Sequence, residues 1–195
     1  MTHSLENQQR LKSDLVKSFV HKLPPKFEHA DLKNVNPEIL KHLKNYIVNK
    51  EYLDGKNIML QGGFGVGKTY IAFAIVKQIV EDMAKEYKNI SWEFMILSDL
   101  GVDFKNAELS IEKAKNCNIL IFDDIFEEQM NKYTSLKFYN LVNYRYNNNL
   151  PTIFTTNMDL KTMKEVVSER VADRIRENLK LIILKGESKR GDLNE

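Results

Sequence analysis

Residues 62–69 read GGFGVGKT, and no other stretch of this 195-residue chain restricts its fold as tightly. The pattern G-x-x-x-x-G-K-[ST] follows an apolar run at 58–60. It precedes a segment in which Ala72, Ile75, Ile79 and Met83 recur at helical spacing. Strand, glycine-rich turn and helix in that order let backbone N–H groups converge on an anion and add the positive end of a helix to the same cavity. The expected ligand is a chain of phosphates, cradled by Gly62, Gly63, Phe64, Gly65, Val66, Gly67, Lys68, Thr69 and Tyr70. Lys68 would neutralise the β and γ phosphates and the Thr69 hydroxyl would be a magnesium ligand. The spacing is not the G-x-G-x-x-G of dinucleotide folds.

The surrounding periodicity fits such a unit. Five short apolar runs, at 58–60, 92–97, 119–122, 152–155 and 181–184, alternate with segments of helical spacing. Short runs that are apolar throughout describe a parallel sheet covered on both faces, an α/β fold. Helices are predicted over about 5–20, on Leu11, Leu15, Phe19 and Val20, and over about 68–87. A third follows Asn36-Pro37, which read as N-cap and first helical residue, with Ile39, Leu43, Tyr46 and Ile47 on its apolar face. A fourth, over 132–147, is expected to bury Leu136, Tyr139, Val142 and Tyr146. The length suits one domain, here 24–195, with a short helical extension at 1–23 ending before Pro24-Pro25.

Several function classes fall away. No run approaches the ~18 apolar residues of a membrane span, and the first twenty residues lack an apolar stretch with a cleavage site, so a cytoplasmic address is expected. Cys117 is the single cysteine, which excludes an internal disulfide and a cysteine-based zinc cluster. The net charge of +2 neither demands nor forbids a nucleic-acid partner. Lys132, Lys137 and Arg145, beside Tyr133, Phe138 and Tyr144, could contact single-stranded nucleic acid, although aromatics on a sheet-covering helix are more often core.

The third apolar run ends NILIFDD, which puts Asp123 and Asp124 at the carboxyl end of a strand, the ligand edge of a parallel sheet. Asp123 would hold magnesium and Asp124 would orient and polarise an attacking water. The fourth run, PTIFTTN, ends with Asn157, which could bond both a γ-phosphate oxygen and that water, or instead cap the helix entered at Asp159. In SERVADRIREN, Arg170 and Arg174 stand four apart on one helix face over about 166–177. They could be solvated, pair with Glu169, Asp173 and Glu177, or reach a neighbouring subunit's γ-phosphate.

Together GGFGVGKT, NILIFDD, LPTIFTTN, ERVADRIR and LKGESKR resemble the DnaC/DnaI/IstB-like family of AAA+ ATPases, the bacterial and phage replicative-helicase loaders and their transposition-helper relatives. PPKFEHADLKNV resembles the segment that precedes the ATPase core in that family, and NYRYNNNLPT is similar as well. The resemblance covers roughly 24–190. It implies a P-loop fold with a five-stranded parallel sheet in the order 5-1-4-3-2 and no C-terminal helical lid. It also implies magnesium ATP as cofactor, Asn157 as the sensor 1 residue, Arg174 as arginine finger with Arg170 as companion, and Arg190 of G-x-S-x-R near the nucleotide.

The function so implied is ATP hydrolysis to ADP and phosphate during loading of a replicative DNA helicase on single-stranded DNA, by subunits that associate when ATP or partner is bound. A transposition helper shares the whole core, and a nucleotide-binding adaptor that recruits or blocks a helicase would need little turnover. A small-molecule kinase would need an acceptor lid, which nothing between 98 and 118 supplies.

Overall fold

The computed structural model describes residues 2–86, 88–101, 104–125, 130–186 and 188. Its sheet holds β1 (Asn57–Gly62), β2 (Trp92–Ile96), β3 (Ile119–Asp123), β4 (Thr152–Thr156) and β5 (Leu179–Leu184). The order is β2-β3-β4-β1-β5, all pairs parallel, which is the expected 5-1-4-3-2 sheet seen from its other edge. β3 and β4 are buried at every position because helices cover both their faces.

Strand alternation divides the core in two. Ile58, Leu60, Ile121 and Ile153 face α2 (Pro37–Val48) and α3 (Lys68–Lys85), while Met59, Phe122 and Phe154 face the opposite layer. That layer contains α4 (Phe104–Asn116), α5 (Lys132–Asn147), α6 (Leu160–Val166) and α7 (Glu169–Glu177). α1 (Thr2–His21) packs on α3, and Phe19 meets Trp92 at 4.9 Å between ring centroids. Asn36 caps α2 as expected, its side chain accepting from the Glu38 N–H with Pro37 at the first helical position. Among the described residues no helix is long and apolar enough to cross a membrane.

The helices differ from the sequence reading in three places. The helix expected over about 166–177 is α7, which starts at Glu169, and a separate short helix, α6, precedes it across the break at Val167-Ser168. α4 was not anticipated, since its sequence FKNAELSIEKAKN carries few apolar residues with which to mark a period. α5 buries Phe138, Leu141, Val142 and Arg145, whereas Leu136 is 58% exposed. Tyr139 and Tyr146 lie half-buried instead of in the core, on the side where α5 packs against α7. The apolar face is thus rotated from the one read off the spacing.

Arg145 and Phe138 are therefore not nucleic-acid contacts. Arg145 is 2% exposed, and its guanidinium donates to the carbonyls of Ala114 (2.6 Å), Cys117 (3.0 Å) and Pro151 (2.6 Å), with Nε on Thr152 Oγ1 (3.0 Å). One cation thereby satisfies the negative end of α4 and fixes the starts of β3 and β4. Lys137 is engaged as well, donating to the Leu100 carbonyl at 3.0 Å. Arg145→Met would leave several buried carbonyls without donors. The expected loss is about 3 kcal/mol of stability, read as a lower urea midpoint with the slope unchanged.

Candidate nucleotide site

The sheet order places the carboxyl ends of β3, β4 and β1 side by side, and this edge collects the 62–69 loop, Asp123, Asp124 and Asn157. The 62–69 loop leaves β1 and enters α3 at Lys68, so the N–H groups of the first helical turn face the loop without intrahelical partners. Gly67 has φ 95° and Gly65 has φ 73°, conformations that glycine adopts without a Cβ clash. Gly65 is also crowded: a Cβ there would run into the Ser188 side chain, so the chain after β5 packs onto the loop.

Lys68 is 6% exposed and its ammonium donates to the carbonyls of Gly62 (3.0 Å) and Gly63 (2.9 Å). A buried cation whose hydrogen bonds among the described residues go to neutral carbonyls suits a place where anionic oxygens can be added. The Thr69 hydroxyl is 2.9 and 3.0 Å from the two oxygens of Asp123. A hydroxyl beside a carboxylate is a hard-oxygen pair of the kind magnesium takes, so the donor chemistry fits that ion. Burial pushes the Asp123 pKa up and Asp124 adds to this, while hydrogen bonds from Thr155 and Thr69 and the charge of Lys68 oppose it.

Asp124 lines the same cleft as the loop and has φ 50°, a left-handed conformation that Asp tolerates better than most residues. Thr155, fully buried, holds this region together. Its hydroxyl is 2.6 Å from Asp123 Oδ1 and accepts the Asp124 N–H at 2.8 Å. Asn157 follows β4 one residue past the Gln61–Thr156 pair, beside the start of the loop. It does not cap α6: that role belongs to Asp159, whose carboxylate accepts from the N–H groups of Lys161 and Thr162.

The cleft has a volume of about 560 Å³, and half of its wall escaped the motif reading. Lys26, Phe27, Asn34, Val35, Asn36 and Ile39 line it opposite the loop, with Ile71, Leu184 and Lys185 closing it. Tyr70 holds that wall in place, its hydroxyl accepting from the Asp31 N–H (3.1 Å) and donating to the His29 carbonyl (3.0 Å). Phe64 is 66% exposed at the rim, and Val66 packs inward against Gly62. The PPKFEHADLKNV segment contained this information, since Pro24-Pro25 and Asn36-Pro37 bracket a stretch too short to form its own core.

The two arginines of α7 lie elsewhere. The Arg174 guanidinium sits over the rings of Tyr139 (5.5 Å) and Tyr146 (5.7 Å), with Nη1 buried and without a hydrogen-bond partner among the described residues. Arg170 is exposed, its Nη1 3.5 Å from Tyr139 Oη. These arginines hold the Tyr139 pKa below its usual value. Neither lines the cleft. Arg190 lies outside the described residues.

A phosphate-type loop, a hydroxyl–carboxylate pair and a second carboxylate thus converge on one edge of a 5-1-4-3-2 sheet. The sequence matches the family of IstB-like ATP-binding proteins over residues 4–193. The chain belongs to that family. Among individual relatives it is 26% identical to the replicative helicase loader DnaI of Bacillus subtilis over 94% of this chain and 65% of that protein. It is 27% identical to the replicative helicase loader DnaC of Escherichia coli K12 over 65% of this chain and 53% of that protein. The chain therefore spans between about half and two thirds of the length of these relatives. Among solved structures it resembles a crystal structure of DnaI, with TM-score 0.70 and 24% identity over 87% of this chain and 95% of that one. It also resembles the DnaC helicase loader, with TM-score 0.69 and 25% identity over 83% of this chain and all of that one. The replication initiator DnaA bound to AMPPCP and single-stranded DNA shares the fold, with TM-score 0.65 and 18% identity over 85% of this chain and 52% of that one.

Proposed function

We propose that this protein is an ATPase that loads a replicative DNA helicase onto single-stranded DNA, assembling with other copies of itself when ATP or the partner is bound. The observation that carries the reading is the joint placement of Lys68, Thr69, Asp123 and Asp124 at one sheet edge, in a chain similar to helicase loaders over most of its length. The phosphates would take the loop, and Lys68 would turn from the Gly62 and Gly63 carbonyls to the β and γ oxygens. The apolar wall of Phe27, Val35, Ile39 and Leu184 suits a flat base. Thr69 and Asp123 would hold magnesium, which supplies charge neutralisation on the phosphates. Asp124 would polarise the attacking water and Asn157 would bond the same water or a γ-phosphate oxygen, giving ADP and phosphate.

The family match by an IstB-like description supports a second reading, a transposition helper with the same ATPase core. Helicase loading onto single-stranded DNA, followed by strand separation, distinguishes the two. The nucleotide site has its own test. Lys68→Ala is expected to keep its fold and lose about a hundredfold or more in magnesium-ATP affinity by calorimetry, because the buried charge that meets the phosphates is gone. Unchanged affinity would remove ATP from this cleft.

A further inference from the structure

β3 does not by itself aim the carboxylate at its end. Asp124 turns into a left-handed φ of 50° immediately after the strand, and hydrogen bonds from β4 hold it there. The Thr155 hydroxyl accepts the Asp124 N–H at 2.8 Å and lies 2.6 Å from Asp123 Oδ1, so it donates to one acidic residue and accepts from the next. One residue further along, the Thr155 carbonyl accepts the Ile125 N–H at 3.0 Å and Thr156 Oγ1 donates to the Ile125 carbonyl at 2.9 Å. Thr155 and Thr156 are both buried, at 0% and 1% exposure, which shields these bonds from competing water.

We propose that Thr155 is a positioning residue for hydrolysis: its hydroxyl holds Asp124 in the turned pose and ties it to the same backbone that carries Asn157. The inference rests on the reading that Asp124 and Asn157 handle the attacking water. Asn157 is two residues beyond Thr155, so a shift of Asn157 toward a γ-phosphate moves the acceptor of the Asp124 N–H with it. The two groups facing the water then have one relative placement, set by a single hydroxyl. A hydroxyl is required because one atom must donate to a carboxylate and accept from an amide, which neither valine nor alanine can do.

The test compares Thr155→Val, which keeps the volume, with Thr155→Ser, which keeps the hydroxyl. Turnover is measured by phosphate release and affinity by magnesium-ATP calorimetry. Thr155→Val is expected to lose about tenfold or more in kcat with affinity within about threefold, and Thr155→Ser to restore most of the turnover. In an Asp124→Asn background the same Val substitution should have little further effect, because Thr155 acts through Asp124. If Thr155→Val does not fold by circular dichroism, Thr155→Cys carries the comparison, since its thiol nearly fills the site but is a weak donor.

Turnover within twofold of wild type in the folded variant, or loss of affinity matching the loss of turnover, overturns the proposal. An undiminished effect of Thr155→Val in the Asp124→Asn background does so as well. Asp124→Asn alone tells this failure from that of the underlying reading. If Asp124→Asn hydrolyses ATP as fast as wild type, the catalytic reading falls and the positioning role with it. If Asp124→Asn is inactive while Thr155→Val is active, only the positioning role falls.

Discussion

Asp124→Asn should fold and bind magnesium ATP like the wild type while turnover drops by about 10² to 10⁴-fold, the range a positioned general base contributes. The fold is expected to survive for a specific reason. Asn is among the few residues that accept a left-handed φ, and the bond that holds position 124 runs from its backbone N–H to Thr155, which the substitution leaves in place. Affinity should survive because Lys68 and the loop backbone are unchanged. The property expected to be lost is the negative charge that would polarise water. Phosphate release alongside calorimetry measures both quantities, and Asp123→Asn provides the contrast. Asp123 lies against Thr69 instead of the open cleft, so its substitution should weaken the magnesium dependence of binding itself. Equal turnover by wild type and Asp124→Asn would remove Asp124 from catalysis.

The loop and the acidic pair were legible because each is contiguous in sequence and carries its own context: an apolar run before GGFGVGKT, an apolar run ending in Asp123 and Asp124. The strands were legible for the same reason, although their neighbour relations followed from the resemblance, since periodicity does not encode order. The missing features are contacts between distant segments. Thr155 reads as a β-branched strand residue, and only the pairing of β3 with β4 brings its hydroxyl to Asp123, 32 residues away. Arg145 reads as a surface cation on a helix until the end of α4 arrives to receive it. The face of α5 was misassigned because its Tyr139 and Tyr146 serve α7, not the sheet, and a single-helix period cannot tell two partners apart. Of the two uses open to Asn157, the helix cap falls to Asp159 because two N–H groups lie within its reach, a matter of local geometry that residue type leaves open.

The largest effect is expected from a mixture of two inactive variants. Arg174 lies in the last turn of α7, just before β5, whose first residue Leu179 pairs with Asn57 at the end of the sheet opposite Asp123. Its guanidinium packs on Tyr139 and Tyr146 of its own α5 and does not line its own nucleotide cleft. A charge so placed would serve hydrolysis by swinging off the two rings to reach a neighbouring subunit, and its Nη1, buried and without a hydrogen-bond partner among the described residues, would give up no hydrogen bond in doing so. Arg174→Ala is expected to bind ATP but to lack the finger, whereas Lys68→Ala is expected to supply the finger but to bind little ATP. An arginine delivered across an interface contributes about 10³ to 10⁵ to turnover in P-loop enzymes, so even partial delivery raises the rate of mixed assemblies well above that of either variant alone. Light scattering with magnesium ATP, and with single-stranded DNA or helicase present, must first establish that the two variants co-assemble. The net charge of +2 supplies no long-range attraction or strong repulsion between copies, so the association has to come from the bound nucleotide and the fitted surfaces. Confirmed mixed assemblies without recovered turnover would place Arg174 outside the shared site. The exposed Arg170, one turn earlier on the same helix and touching the same Tyr139, would then be the donor to substitute next.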